Sequence, residues 1–201
     1  MNNTIIILAL LAGLVSLQYW RGRKINLSII RRLANELERI LQPVEKEYIW
    51  IGGYVGVIAE YELKKKEFPG VKATISLLPR HSFLYFPFSL LIGRRDRVYL
   101  LIKSGQKLTS RVHLKPGKRA RKPAQVEDLE HDTVQIGRTV LKRWYDDLDA
   151  AEELTGVIKG LADPSGVKHI AVNKEENAYY AEVKITHNAP VKLIKAFLRS
   201  N

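Results

Sequence analysis

An uncharged apolar run near the N-terminus constrains the fold more than any other feature. Residues 5–20 read IIILALLAGLVSLQYW, and Arg21, Arg23 and Lys24 follow at once. Lipid cannot satisfy an open backbone, so such a run crosses a membrane only as a helix. Its 16 residues span roughly 24 Å, slightly less than the ~30 Å hydrocarbon core. We predict a short single-pass anchor, whose principal residues are Ile5, Leu8, Leu11, Gly13, Leu14, Ser16, Tyr19 and Trp20.

The order of the apolar run and its positive charges predicts an orientation. A secretory signal peptide carries its charges before the apolar region, whereas here they follow it, and no small-residue cleavage site precedes them. The positive-inside rule then places the N-terminus outside, or in a lumen, and the rest of the chain in the cytoplasm. Zero cysteines fit that reducing compartment and exclude disulfides and thiolate metal sites.

Charge is distributed unevenly along the chain. The net charge is +12, with residues 1–124 carrying +15 and residues 125–201 carrying −3. Residues 107–122 contain seven Lys or Arg and no acid. Such a basic half attracts anionic membrane lipid or the phosphates of RNA. The residues predicted to make these contacts are Arg21, Arg23, Lys24, Arg94, Arg95, Arg97, Lys115, Lys118, Arg119, Arg121 and Lys122.

The pattern beyond the anchor predicts an α+β fold in the cytoplasm. Asn26 or Ser28 is expected to cap an amphipathic helix that ends before Pro43. A β-rich part follows, with strands expected over residues 49–63, 72–78, 97–103 and 110–115. A β-α-α-β-β-α part comes last, with a strand over 133–136, helices over 138–148 and 150–161, a hairpin over 167–172 and 179–186, and a helix over 190–198. The predicted divisions are 1–25 (anchor and flank), 26–114 (helix and β-rich part), 115–124 (basic linker or loop) and 125–201 (α+β part).

A second apolar segment, SFLYFPFSLLIG, occupies residues 82–93 and has basic residues on both sides. One interpretation is a buried strand or short helix of the core, as most short apolar runs are. The other is an exposed element that dips into a membrane or binds a partner. The residues predicted to make the hydrophobic partner contact are Phe83, Tyr85, Phe86, Phe88, Leu90 and Leu91.

No arrangement of residues typical of catalysis, metal binding or cofactor binding is found in the sequence. Its five histidines are His81, His113, His131, His169 and His187, and none forms a pair at ligand spacing. Asp146, Asp147 and Asp149 could hold Mg²⁺, but no phosphate-binding glycine loop accompanies them. We therefore expect a binding or scaffolding protein that is not an enzyme, with no catalytic residues, no metal and no cofactor.

The order of these segments resembles the calumin family, the coiled-coil-domain membrane proteins of the PAT complex that work beside the Sec translocon. The resemblance is carried by RGRK after the anchor, ELERILQPV, GGYVGVIAEYEL, LLPRHSFLYFPFSLLI, DRVYLLIK, DTVQIGRTVLKRWYDDLDAAEEL, and VKHIAVN to APVKLIKAFL. Two features of that family are missing from this sequence: the acidic luminal region before the anchor and the long C-terminal coiled coil implicated in ribosome contact. The sequence would thus be a minimal relative, and any ribosome contact would fall to its basic half.

The resemblance implies a non-enzymatic accessory factor for membrane protein insertion and folding, an intramembrane chaperone component. Its implied partners are the Sec translocon, a small multipass membrane protein, client transmembrane helices and the ribosome, through ribosomal RNA. Two alternatives stay open from the residues themselves. One is a membrane-tethered phosphate-handling enzyme that uses residues 146–149, and the other is a structural subunit of another membrane complex.

Overall fold

The apolar run and the amphipathic segment after it form one continuous helix. In the computed structural model, which describes residues 3–124, 126–161, 164–186 and 188–200, helix α1 extends over Asn3–Leu41. The predicted new start at Asn26 or Ser28 is wrong, because no proline or glycine interrupts residues 23–41 and Asn26 lies buried within the helix. The helix ends where Gln42 takes a positive φ of 45° before Pro43.

The two halves of α1 have different surroundings. Residues 3–17 are all exposed, and α1 is long enough, and near the N-terminus apolar enough, to cross a membrane. From Gly22 onward one stripe of the helix is buried, as the periodicity predicted. The buried stripe consists of Gly22, Asn26, Ile30, Leu33, Ala34, Leu37 and Leu41.

After α1, the described residues form a nine-stranded sheet, in which every neighbouring pair of strands is antiparallel. The α+β prediction is confirmed at this level. The strands are β1 Glu45–Ile51, β2 Gly56–Glu62, β3 Gly70–Ser76, β4 Arg97–Lys103, β5 Val112–Pro116, β6 Glu130–Ile136, β7 Thr139–Tyr145, β8 Val167–Asn173 and β9 Ala178–Lys184. Their order across the sheet is β1-β2-β3-β4-β9-β8-β5-β7-β6.

The sheet takes strands from both sides of the charge boundary. Strand β9 pairs with β4, and β5 lies between β8 and β7. The predicted parts 26–114 and 125–201 therefore share one sheet. Of the predicted linker 115–124, the first two residues belong to β5, and residues 117–124 form a loop after it.

Two further sequence predictions of local structure are wrong. Residues 138–148 were predicted as a helix, but β6 and β7 form a hairpin that turns at Gly137, where φ is 57°. Residues 49–63 were predicted as one strand and are instead the β1–β2 hairpin. Its turn places Gly52 and Gly53 at φ of 62° and 70°, which favours glycine at both positions.

Within the part of the chain that the structure describes, three helices cover one face of the sheet. The second half of α1 packs on β2 and on helix α4 (Ala189–Ser200). Helix α3 (Leu148–Lys159) packs on β5, β7 and α4. The opposite face carries a smaller cluster, in which Val126 and Leu129 cover Trp144 of β7. The remaining short helix, α2 (Tyr85–Leu91), lies within the second apolar segment and does not belong to this core.

Candidate functional site

The connection from β3 to β4 lies directly against α1 where the apolar run ends. The Nε2 of Gln18 donates a hydrogen bond of 2.7 Å to the carbonyl oxygen of Arg80. A Cβ on Gly22 would stand only 2.1 Å from that same oxygen. Any side chain at residue 22 would push the Arg80 backbone away, so glycine is required for this close approach.

Asn26 holds two connections on α1 at once. Its buried side chain donates from Nδ2 to the carbonyl oxygens of Tyr54 and Leu78, each at 2.9 Å. Its Oδ1 accepts a hydrogen bond of 3.0 Å from Nη1 of Arg80. Both amide hydrogens and the carbonyl oxygen are thus used, which offsets the cost of burying them. The β1–β2 turn and the start of the β3–β4 connection are fixed to the same point of the helix.

An ion pair closes the base of the β3–β4 connection. Arg80 donates from Nη1 to Oδ1 of Asp96 at 3.0 Å and from Nη2 to Oδ2 at 2.5 Å. Oδ1 of Asp96 also accepts from the backbone N–H of Leu78 at 2.8 Å. Residues 81–95 therefore leave and rejoin the fold at neighbouring points, and α2 projects from this base.

Aromatic rings fill the space between α1 and the two connections. Tyr19, Tyr54 and His81 pack edge to face, with centroids 6.0 to 6.5 Å apart. The Arg23 guanidinium lies 4.4 Å from the centre of the Tyr54 ring and 5.5 Å from that of Trp20. Of the basic residues predicted after the anchor, Arg23 is thus engaged by aromatic rings, whereas Arg21 and Lys24 are exposed.

The second apolar segment is mostly exposed, so of its two interpretations the buried core element is wrong. Leu84 and Leu91 are 77% and 84% exposed. Of the side chains predicted for partner contact, Phe86 is half-buried, and the exposed ones are Phe83, Tyr85, Phe88, Leu90 and Leu91. An exposed apolar group of this size on a folded domain marks an interaction surface.

A further apolar element, which the sequence analysis missed, lies at the end of β1. We call residues 49–54 the hairpin tip. Its Ile49, Trp50 and Ile51 are exposed, and Tyr54 packs beside α1. Among the described residues, all large exposed hydrophobic side chains except Val44 and Leu148 belong to α1, the hairpin tip or residues 83–92. The Gly52-Gly53 pair was the available sequence signal for this turn.

Basic side chains gather at the same end of the sheet. Arg97 of β4 stands opposite Lys184 of β9, and the pKa of Lys184 is lowered chiefly by the charge of Lys168, with burial, Arg95 and Arg97 adding to the effect. Arg97 is paired with Glu182 at 2.6 Å. We call Arg95, Arg97, Lys168 and Lys184 the cation cluster. The sequence analysis found Arg95 and Arg97 but missed the two lysines, which only the strand pairing brings there.

The other predicted cations lie close to this end. Leu114 of β5 pairs with Ile170 of β8, and the two strands are antiparallel. The end of β5 at Pro116 therefore lies at the same end of the sheet as the start of β8, where Lys168 is located. The loop of residues 117–124, the basic loop, follows Pro116, and Lys142 donates to its Ala120 carbonyl oxygen at 3.3 Å. Lys115 is half-buried on β5, and the exposed basic side chains are Arg94, Lys118, Arg119, Arg121 and Lys122.

The acidic residues 146–149 are engaged in local structure. Asp146 accepts from the backbone N–H of Arg111 at 2.7 Å and pairs with its guanidinium. Asp147 caps α3 by accepting from the N–H groups of Asp149 and Ala150. A cavity of about 310 Å³ lies beside them, with a floor of apolar side chains and a rim that carries Asp147, Asp149, Glu153 and Lys107. In the part of the chain that the structure describes, no three acidic or histidine side chains form a group able to hold a metal ion.

Two of the histidines come together although the sequence separates them. Nδ1 of His113 on β5 lies 3.1 Å from Nε2 of His169 on β8, and the two rings are stacked. His131 is exposed on β6, and His187 lies outside the described residues.

Comparison with known proteins adds no relative to this description. Neither a scan against protein-family models nor a search of curated proteins finds a match for the chain.

Proposed function

We propose that this chain is a single-pass membrane protein with its N-terminus outside and its α+β domain in the cytoplasm, and that it serves as a non-enzymatic accessory factor for membrane protein insertion. The exposed, uncharged first half of α1 and the basic residues after it support the anchor and its orientation. The resemblance in segment order to the calumin family suggests the role. The Sec translocon, a small multipass protein and client transmembrane helices are the proposed partners.

The observation that carries the proposal is the position of α2. An apolar, uncharged helix with most of its side chains exposed is held beside the end of the proposed membrane-spanning segment by Gln18, Asn26 and the Arg80–Asp96 pair. At that level a newly inserted transmembrane helix passes from the headgroups into the hydrocarbon. A surface there that is both apolar and fixed can hold a client segment that is not apolar enough to remain in lipid alone.

The basic loop is the proposed contact with ribosomal RNA. Its four cations, Lys118, Arg119, Arg121 and Lys122, are exposed and lie on the same end of the sheet as α2. Phosphate contacts of this kind release counterions, so the association should weaken steeply as salt is raised.

Crosslinking in native membranes tests the insertion role. Recovery of translocon subunits, or of a small multipass protein, through a photoreactive residue at Phe88 would support it. A photoreactive residue at Val44, an exposed apolar side chain at the far end of β1, is the matched control and should recover neither. Identical products from both positions would contradict the proposal.

Sedimentation with ribosomes at low salt tests the basic loop separately. Changing Lys118, Arg119, Arg121 and Lys122 to glutamine should release the protein from the ribosome pellet. The control changes Lys64, Lys65, Lys66 and Lys174, which are exposed at the opposite end of the sheet and carry the same total charge. Equal loss from both variants would show that only net charge matters, and the ribosome contact would be wrong.

The enzyme alternative rests on the cavity beside α3. Its rim has three carboxylates and one lysine, so its potential disfavours a phosphate substrate, and Asp147 is already used as a helix cap. A structural subunit of another membrane complex would use the same apolar surface as the proposed accessory factor, and the crosslinked partners would identify it.

A further inference from the structure

We propose that the α+β domain itself sits on the bilayer: lipid covers α2 and the hairpin tip, and the phosphates of anionic headgroups bind the cation cluster. This inference needs only that α1 spans a bilayer. It holds whether or not the protein serves in membrane protein insertion.

The level of the domain along α1 is fixed by its hydrogen bonds. The apolar run ends at Trp20, and Gln18 and Asn26 hold the two connections by their backbone carbonyls. A helix rises about 1.5 Å per residue, so Asn26 lies only ~9 Å beyond Trp20. A headgroup layer is about 5 to 7 Å deep on each side of the hydrocarbon. The points where α1 holds the two connections therefore lie at the boundary of the headgroup layer. Parts of the domain that extend from there toward the apolar run, α2 and the hairpin tip, reach lipid.

The side chains that project there are suited to lipid. Residues 83–92 contain no charged side chain, and Trp50 and Tyr85 are exposed aromatic groups of the kind that favour the membrane interface. His81, which leads into residues 83–92, and Tyr54 of the hairpin tip both pack on Tyr19 at the end of the exposed half of α1, whose neighbour in a bilayer is lipid. A bilayer that accepts the helix thus covers α2 and the hairpin tip without any additional partner.

The cation cluster lies where headgroup phosphates would meet the domain. Arg94 and Arg95 follow α2 after Ile92 and Gly93, Lys168 lies at the start of β8, and Lys184 lies at the end of β9 opposite Arg97. Within the cluster, Glu182 neutralises Arg97, while the mutual repulsion of Lys168 and Lys184 lowers the pKa of Lys184. An anion placed between the two lysines relieves that repulsion, and a lipid phosphate is held at this height by the bilayer.

Tryptophan fluorescence in vesicles of phosphatidylcholine with brominated acyl chains tests the lipid contact. The chain has three tryptophans, Trp20, Trp50 and Trp144, and Trp144 lies under Val126 and Leu129. The full-length variant Trp20→Phe keeps Trp50 and Trp144, and the variant Trp20→Phe/Trp50→Phe keeps Trp144 alone as the control. We expect the brominated lipid to quench Trp50, and to quench a tryptophan placed by Phe88→Trp in the control background, but not Trp144.

The variant Trp50→Phe, which keeps Trp20, shows separately whether α1 enters the bilayer. If Trp20 is quenched while Trp50 and the tryptophan at position 88 are no more quenched than Trp144, lipid does not cover the patch and a protein partner must. That result overturns the inference and leaves the insertion role intact. If instead the quenching is preserved but the crosslinks to client helices are absent, the lipid contact stands and the insertion role is wrong.

Headgroup selectivity tests the cation cluster. In mixed vesicles of phosphatidylcholine and phosphatidylglycerol, we expect Trp50 to be quenched severalfold more when the phosphatidylglycerol carries the bromine, because anionic lipid gathers at the cluster. The variant Arg95→Gln/Lys168→Gln/Lys184→Gln should lose this preference. The matched variant Lys64→Gln/Lys65→Gln/Lys66→Gln should keep it, and added inorganic phosphate should not abolish it. Equal quenching by both lipids in the unaltered chain would overturn the headgroup site.

Discussion

Asn26 shows how one buried polar residue can position a whole surface. It lies in the middle of a helix, where asparagine is a poor helix former, and it has no access to solvent. Its side chain forms hydrogen bonds to Tyr54, Leu78 and Arg80, whereas at a helix cap or in a turn it would bond to the neighbouring backbone. The residue was predicted as a cap because its side chain is typical of one, and the structure shows that its partners come from distant strands.

Removing the Asn26 side chain should loosen the β3–β4 connection. Asn26→Ala leaves two buried carbonyl oxygens and one guanidinium N–H without partners, which should cost about 2 to 4 kcal/mol of stability. We expect a lower urea midpoint and faster trypsin cleavage after Arg94 and Arg95. Asn35→Ala on the exposed side of the same helix is the control, and it should change the midpoint little. Equal cleavage rates in the two variants would show that Asn26 does not hold the connection.

At the scale of single elements, the sequence predicted several helices and strands, and one of its failures lies where a charge is buried. The predicted α3, α4, β4 and the β8–β9 hairpin are confirmed. Residues 138–148 were predicted as a helix, and their apolar residues do not alternate with polar ones as those of a half-exposed strand do. The reason is Arg143, which points inward from β7 to pair with Asp132 and with Glu152 of α3. A buried arginine on the core face hides the period of two that marks a strand.

The contact between β5 and β8 should make the protein sensitive to mild acid. Burial lowers the pKa of His169 to about 3 and also lowers the pKa of His113, with nearby Lys115 adding to both shifts. As the pH falls, these histidines become protonated near pH 6.5 in the unfolded chain but only at a lower pH in the folded one. The free energy of unfolding is therefore highest above about pH 6.5 and decreases as the pH drops below that value. The loss should reach about 1.4 kcal/mol per pH unit for His169.

Urea unfolding between about pH 7 and pH 5 measures this effect above the range in which most carboxylates titrate. His169→Gln keeps a polar partner for His113 and should flatten the pH dependence. His131→Gln, at an exposed position on β6, should leave it unchanged. A slope that is the same in the unaltered chain and in His169→Gln would mean that this histidine is already protonated in the folded state.

At the scale of the whole molecule, the apolar run, α2, the hairpin tip and the cation cluster meet at one end of the sheet. The sequence indicated the first two surfaces and part of the charge, because apolar runs and basic residues are visible in one dimension. It could not show that Lys168 and Lys184 join Arg95 and Arg97, or that Tyr54 of the hairpin tip packs against Tyr19 at the end of the run. Those placements follow from the pairing of β4 with β9 and of β1 with β2, which are properties of the folded sheet.

The shared sheet also predicts how the chain folds when it is divided at the charge boundary. A fragment of residues 125–201 would lack β4 beside β9 and β5 between β8 and β7, so several strand edges would lose their hydrogen-bonding partners. We expect that fragment alone to give no dispersed amide spectrum and no cooperative thermal transition, and to regain both when residues 1–124 are co-expressed with it. As a control, a protease site placed within residues 117–124 of the intact chain should be cut without separating the pieces, because that loop lies outside the strands. A cooperative transition in the isolated fragment would mean that the two parts are independent domains despite their common sheet.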